Sequence, residues 1–236
     1  MQQKEITKRR KKPSLYNYMK IYFIESAINN GVYAHLINEL NDPYESFQIK
    51  ENKKYVICCF TSSYNAKLMW SHYGDKHQGC VVKFKTPSNC FDDECIIKRV
   101  NYQSKITCIK NDNSNAIIER LYIKDKKWSS EKEFRCAGYI DNLDDNWHSI
   151  IDKGKTNYYF KLDVEQITFG CNAHLLHDQY INNLQVIKNI NDQRSAENQI
   201  KVKKMKMDEE KYRFIIDKNF DYIEELDRLE KEELNG

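Results

Sequence analysis

The segment Trp-Ser-Ser-Glu-Lys-Glu-Phe-Arg, residues 128 to 135, sets Glu131, Glu133 and Arg135 two positions apart. On a strand, that spacing puts all three side chains on one face. Charges aligned on an otherwise apolar strand are costly in a core unless they are paired or used. The segment therefore reads either as a chemical site or as an ion-pair ladder on a solvated face. Three other segments stand out. Asn41, Asp42, Pro43, Tyr44 and Glu45 gather two carboxylates and an amide in a turn, and Leu68 to Gly74 packs Ser71, His72 and Tyr73 beside Trp70. Near the start, Tyr16 and Tyr18 share a face of an early strand. Each has a bland counterpart. The early tyrosines also read as core or edge aromatics, the Asn41 and Asp42 turn as an Asx turn in front of proline, and His72 as a satisfied core histidine.

These residues need elements to hold them, and the pattern supplies short alternating ones. Strand-like runs fall at Leu15 to Ile21, Val32 to Leu36, Tyr55 to Phe60, Val81 to Phe84, Lys98 to Tyr102 and Glu133 to Tyr139. Further strands are expected at Tyr158 to Leu162, Ile167 to Gly170, Ile200 to Met207 and Tyr212 to Ile216. Helices are expected at Phe23 to Asn30, stopped by Gly31, and at Asn65 to Tyr73, stopped by Gly74. Others are expected from about Asn115 to Ile123, at His174 to Lys188 and at Tyr222 to Leu229. Residues 141–157, rich in Asp, Asn, Lys and Gly, read as an exposed loop. The succession lacks a regular βαβ rhythm, so the expected class is α+β, one domain over residues 13–236 with a split, mostly antiparallel sheet and peripheral helices. Residues 1–12 form a basic tail, with Lys8 to Lys12 either solvated or contacting phosphate or an acidic partner.

Composition narrows the function classes. The 236 residues carry 38 Lys+Arg against 35 Asp+Glu, a balance too even to announce a nucleic-acid binder. Only 7 glycines are present, and neither GxGxxG nor GxxxxGK[ST] occurs, so the glycine-loop nucleotide folds are excluded. No run of about 18 apolar residues exists, which excludes a membrane-spanning helix. The polar N-terminus has no apolar stretch behind it and does not read as a secretory signal. The 8 cysteines contain no CxxC pair and read as buried or incidental thiols in a reducing cytoplasm. His174 and His177 read as a helix face before a metal site, so no metal is expected.

The order LYNY, NDPYE, CCFTSS, LMWSHYGDKHQG and WSSEKEFR resembles a bacterial family known as domain of unknown function twenty-nine seventy-one. The resemblance runs from about Leu15 to Arg135. Asn17 and Met19 stand where that family's pattern is basic. In layout the family is similar to ADP-ribosyltransferases, and Glu131-Lys132-Glu133 resembles the Glu-x-Glu signature of one transferase branch. The resemblance implies NAD as co-substrate. Glu133 would stabilise the oxocarbenium-like state reached when the nicotinamide–ribose bond breaks, and Glu131 would orient or deprotonate the acceptor. Tyr16 and Tyr18 would stack on a ring, Arg135 or His72 would meet the pyrophosphate or a ribose hydroxyl, and Asn41, Asp42, Ser71 and Tyr73 would complete the cofactor contacts. It further implies a toxin or phage-defence effector with a macromolecular acceptor, protein or nucleic acid, and a neutralising or activating partner. Two other readings of the residues stay open. One is a non-catalytic module that binds nucleic acid or a partner protein. The other is a nuclease holding Mg²⁺ on Asp42, Glu45, Glu131 and Glu133.

Overall fold

Tyr55 to Phe60 is an unbroken apolar run, and a strand apolar on both faces belongs in the middle of a covered sheet. It lies there in the computed structural model, which describes residues 13–47, 49, 54–87, 97–106 and 114–235. The basic tail and Cys90, Cys95 and Cys108 lie outside the described residues. In chain order the elements are β1 (Leu15–Met19), α1 (Ile24–Asn30), β2 (Val32–Leu36), β3 (Tyr55–Thr61), α2 (Lys67–His72) and β4 (Cys80–Phe84). There follow β5 (Ile97–Arg99), β6 (Asn101–Gln103), α3 (Ser114–Arg120), β7 (Ile123–Asp125) and β8 (Glu133–Tyr139). The chain closes with β9 (Trp147–Asp152), β10 (Lys155–Phe160), β11 (Val164–Phe169), α4 (His177–Asp192), β12 (Lys201–Met207), β13 (Phe214–Ile216) and α5 (Tyr222–Asn235).

Eleven of these strands form one sheet, and within it only β11 and β12 pair parallel. Strands β6 and β7 form a separate parallel pair. The expected mostly antiparallel sheet with peripheral helices is what is found. Its pivot is β3. One edge of β3 pairs with β8 along its whole length, Tyr55↔Tyr139 to Thr61↔Glu133. The other edge is divided, β2 taking Val56 and Ile57 and β1 taking Thr61. Tyr16, Thr61 and Glu133 thereby fall in one row across three neighbouring strands, which sends their side chains to the same face.

Alternation along β3 sorts the core. Val56, Cys58 and Phe60 join the main cluster, which α1, α4 and α5 cover with Ile24, Tyr180, Leu184, Ile187, Leu226 and Leu229. On the other face, Tyr55 and Ile57 pack with Leu121 and Tyr122, and Trp70 of α2 covers Tyr18 and Val81. The buried positions of α4 recur at the three- and four-residue spacing of an amphipathic helix. Asn191 at its end fastens β12, its Oδ1 accepting from the Ile200 amide at 2.7 Å and its Nδ2 donating to the Ile200 carbonyl at 3.0 Å.

Three sequence expectations are corrected. Residues 141–157 are not an open loop, because β9 and β10 form a hairpin that pairs from Asp152↔Lys155 to Trp147↔Phe160. Lys98 to Tyr102 is not one strand. The chain breaks at Val100, so that β5 joins β8 and β6 turns away to β7. Glu131 does not share a strand with Glu133. It ends a 3-10 turn over Lys126–Glu131, and Lys132 follows in the left-handed region at φ 49°. That conformation is uncommon without glycine. No disulfide forms among the described cysteines, and Cys58, Cys80 and Cys136 are buried. No helix among the described residues is long and apolar enough to cross a membrane.

Candidate functional site

Where β8 begins, five charged side chains meet away from water. Glu133 and Arg135 come from β8, Glu131 from the 3-10 turn before it, Lys124 from β7, and Glu45 from a turn capped by Asp42. All five are buried. This overturns the solvated-ladder alternative for the Glu-Glu-Arg segment. Arg135 donates from Nε to Glu133 Oε1 at 2.7 Å and from Nη2 to Oε2 at 3.1 Å, while its third nitrogen donates to the Leu121 carbonyl at 2.8 Å. Lys124 Nζ bridges Glu131 Oε2 at 2.7 Å and Glu133 Oε2 at 3.2 Å, lies 3.5 Å from Glu45, and sits 5.0 Å over the Trp128 ring. Tyr102 Oη accepts from the Glu133 amide at 2.8 Å, and Thr61 Oγ1 donates to the Glu131 carbonyl at 2.6 Å.

From Glu131 a chain of hydrogen bonds leads outward. Tyr73 Oη donates to Glu131 Oε1 at 2.7 Å, and the exposed Asn41 donates in turn to Tyr73. Glu131 thus accepts one donor on each oxygen, whereas Glu133 accepts three from Arg135 and Lys124. A carboxylate offers about four lone-pair positions. Of these two glutamates it is Glu131 that keeps spare capacity, at the end of the chain that begins at the surface.

Burial alone would discourage every charge here. For Glu133 burial raises the pKa, but Arg135 and then Lys124 outweigh it and leave the carboxyl below its ordinary value. For Glu45 burial wins over Arg135 and Lys124, and the pKa is raised. Burial also works against the charge on Lys124, yet Glu133 and Glu45 hold its pKa well above the usual lysine range. Burial and then the bond to Glu131 push the Tyr73 hydroxyl upward, so it stays protonated and remains a donor. Tyr102 is pushed up to about 12, chiefly by burial.

Of the residues singled out in the sequence, Glu131, Glu133, Arg135, Tyr73 and Asn41 come together. Asp42 adjoins them, buried, with Oδ1 accepting from the Tyr44 amide at 3.0 Å as the Asx-turn reading anticipates. Tyr18 is a core residue. It packs edge-on against Trp70, donates to the Ser63 carbonyl at 3.0 Å and accepts from the Ala66 amide. Tyr16 is half-buried beside Tyr64. Ser71 and His72 do not join the cluster. Both are exposed, and Ser71 donates to the Lys67 carbonyl of its own helix. Lys124, Tyr102 and Trp128 are the members that residue spacing did not single out for a role. The signal for Lys124 was a lysine directly after the apolar residues Leu121, Tyr122 and Ile123.

Of the four carboxylates of the Mg²⁺ reading, Glu45, Glu131 and Glu133 are already paired with Lys124 or Arg135, a donor set that does not fit a divalent cation. Elsewhere among the described residues, His177, Asp178 and Glu233 bring ligand atoms within 4.8 Å of one another, all exposed, and His174 is not among them.

Residues 69–136 match the family model described as protein of unknown function (DUF2971). Over this segment the chain is similar to that family. The matched segment contains Tyr73, Lys124, Glu131, Glu133 and Arg135, whereas Tyr16, Tyr18, Asn41, Asp42 and Glu45 precede it. No curated protein and no solved structure matches the chain.

Proposed function

We propose that this chain is an NAD-consuming enzyme that breaks the nicotinamide–ribose bond and passes ADP-ribose to a macromolecular acceptor or to water, in the manner of ADP-ribosyltransferases. The observation that carries the reading is the unequal use of the two glutamates. Among the described residues Glu131 accepts only from Tyr73 and Lys124 and retains lone pairs, so it can accept from a ribose hydroxyl. Glu133 is saturated by Arg135 and Lys124. The ribose contact that the resemblance gives to Glu133 is therefore assigned to Glu131, and Glu133 positions Lys124.

In the reaction the C1′–N bond breaks, nicotinamide leaves as the neutral base with the bonding pair, and C1′ gains oxocarbenium character. A carboxylate hydrogen-bonded to the ribose stabilises charge that exists only in that state. The acceptor oxygen then bonds to C1′ and gives its proton to solvent. A toxin or phage-defence role, with a cytoplasmic setting and a neutralising or activating partner, is part of the same proposal and rests on the family resemblance.

The test is nicotinamide release from NAD by the purified protein, followed chromatographically with and without candidate acceptors. Glu131→Gln should lower release on the order of 100-fold or more, the scale on which a preorganised electrostatic contact acts. Unchanged release in a folded Glu131→Gln protein would overturn the assignment.

A further inference from the structure

A cavity of about 310 Å³ opens beside the charge cluster, lined among others by Asp42, Glu45, Arg120, Lys124, Lys105 and Lys127. None of Glu131, Tyr73 or Asn41 lines it. Two of its walls hold polar groups that the described residues leave unsatisfied. Glu45 is 3% exposed, and although Lys124 and Arg135 approach its carboxylate, neither oxygen receives an aligned hydrogen bond. Arg120 is 5% exposed and donates from Nη2 to the Tyr44 carbonyl at 2.9 Å, yet its buried Nε has no acceptor. Buried polar groups are nearly always satisfied, and exceptions of opposite kind around one cavity call for an occupant that donates to one and accepts from the other. Burial keeps the Glu45 pKa raised against the pull of Arg135 and Lys124.

The rim fixes the chemistry further. Lys105 and Lys127 are exposed and form no ion pair among the described residues, so beside Asp125 on the same lining they add positive charge to that of Arg120. The volume sits at the low end of ligand pockets, suited to a sugar phosphate or mononucleotide and not to a whole dinucleotide. We propose that this cavity is a binding site for a phosphorylated sugar, the phosphate taken by Arg120, Lys105 and Lys127 and a sugar hydroxyl donating to Glu45. The site stands independently of bond cleavage at Glu131.

Calorimetric titration of the full chain tests it, with ribose 5-phosphate, AMP, ribose and inorganic phosphate as separate probes. The phosphorylated sugar is expected to bind at least tenfold more tightly than ribose or phosphate alone. Comparing AMP with ribose 5-phosphate tells a nucleotide site from a free sugar-phosphate site. The exposed double variant Lys105→Glu, Lys127→Glu should fold normally and weaken binding at least tenfold, so the outcome does not depend on whether Glu45→Gln or Arg120→Gln folds. Absence of binding by either phosphorylated sugar at millimolar concentration would refute the proposal. So would an affinity unchanged in the double variant, or ribose binding as tightly as its phosphate. A lack of nicotinamide release from NAD bears only on the cleavage reading.

Discussion

Arg135 grips Glu133 with two prongs, Nε on Oε1 and Nη2 on Oε2, and the pair is 1% and 4% exposed. Such a fork is specific to the planar guanidinium, and breaking a buried pair from one side strands the other charge. Glu133→Gln should therefore cost about 3–5 kcal/mol of stability in urea unfolding. Glu131→Gln should cost about 1–2 kcal/mol, because the amide oxygen still accepts from Lys124 and its nitrogen can face the Tyr73 hydroxyl. Equal losses in the two variants would contradict the division of labour between the glutamates.

The two glutamates that flank Arg135 predict opposite responses to pH. Glu133 has a folded pKa below its reference of 4.5, so its stabilisation is present above that value and fades as pH falls through the folded pKa. Glu45 has a folded pKa above 4.5, so its stabilisation is full below 4.5 and is lost as pH rises through the raised value. Urea unfolding between about pH 3 and pH 7 should show wild type losing stability relative to Glu45→Gln as pH climbs above 4.5. A difference that instead grows in wild type's favour over that range would show that Arg135 and Lys124 dominate Glu45.

Tyr73→Phe isolates the link between the surface and Glu131. The ring packs with Tyr18 and Trp70 and is preserved by the change. The hydroxyl that accepts from Asn41 and donates to Glu131 is lost. Stability should drop by about 1 kcal/mol, the usual net worth of a hydrogen bond. If Glu131 is the working carboxylate, nicotinamide release should fall by more than that stability change explains. Asn41→Ala, one bond further out, should have a smaller effect on both readings.

The sequence was most legible where one local rule agreed with the tertiary environment. The apolar run Tyr55 to Phe60 reads as a strand and lies in β3, and Gly31 ends α1 because it adopts φ 86° with the Phe160 carbonyl too near for a Cβ. Glu133 and Arg135 were recognisable because charges at alternate positions of an apolar strand need partners. The partners themselves were not. Lys124 and Glu45 sit in elements of three residues, and what brings them to Glu133 is long-range packing that leaves no local period. The break at Val100 is equally silent, since its amide bonds the Glu133 carbonyl while the next amide bonds that of Tyr122. Lys132 conceals the bend between the two glutamates, because a lysine does not advertise left-handed backbone.

The misread hairpin of β9 and β10 yields a prediction of opposite sign to the others. Its two-residue loop is Lys153-Gly154, closed by Asp152↔Lys155, and both loop residues have positive φ, at 49° and 80°. Positive φ at both central positions is the requirement of a type I′ turn, where Asn-Gly is the favoured pair. A lysine in the first place hides the turn in a polar stretch and strains the backbone, whereas asparagine tolerates the left-handed region. Lys153→Asn should therefore stabilise the protein by about 0.5 kcal/mol, within the range that conformationally matched turn substitutions give. Gly154→Ala should destabilise it by about 1 kcal/mol although a Cβ there would meet nothing within 4 Å, because the penalty is conformational and not steric crowding. Chemical denaturation of the two variants beside wild type checks both signs, and a loss of stability in Lys153→Asn would count against the turn geometry.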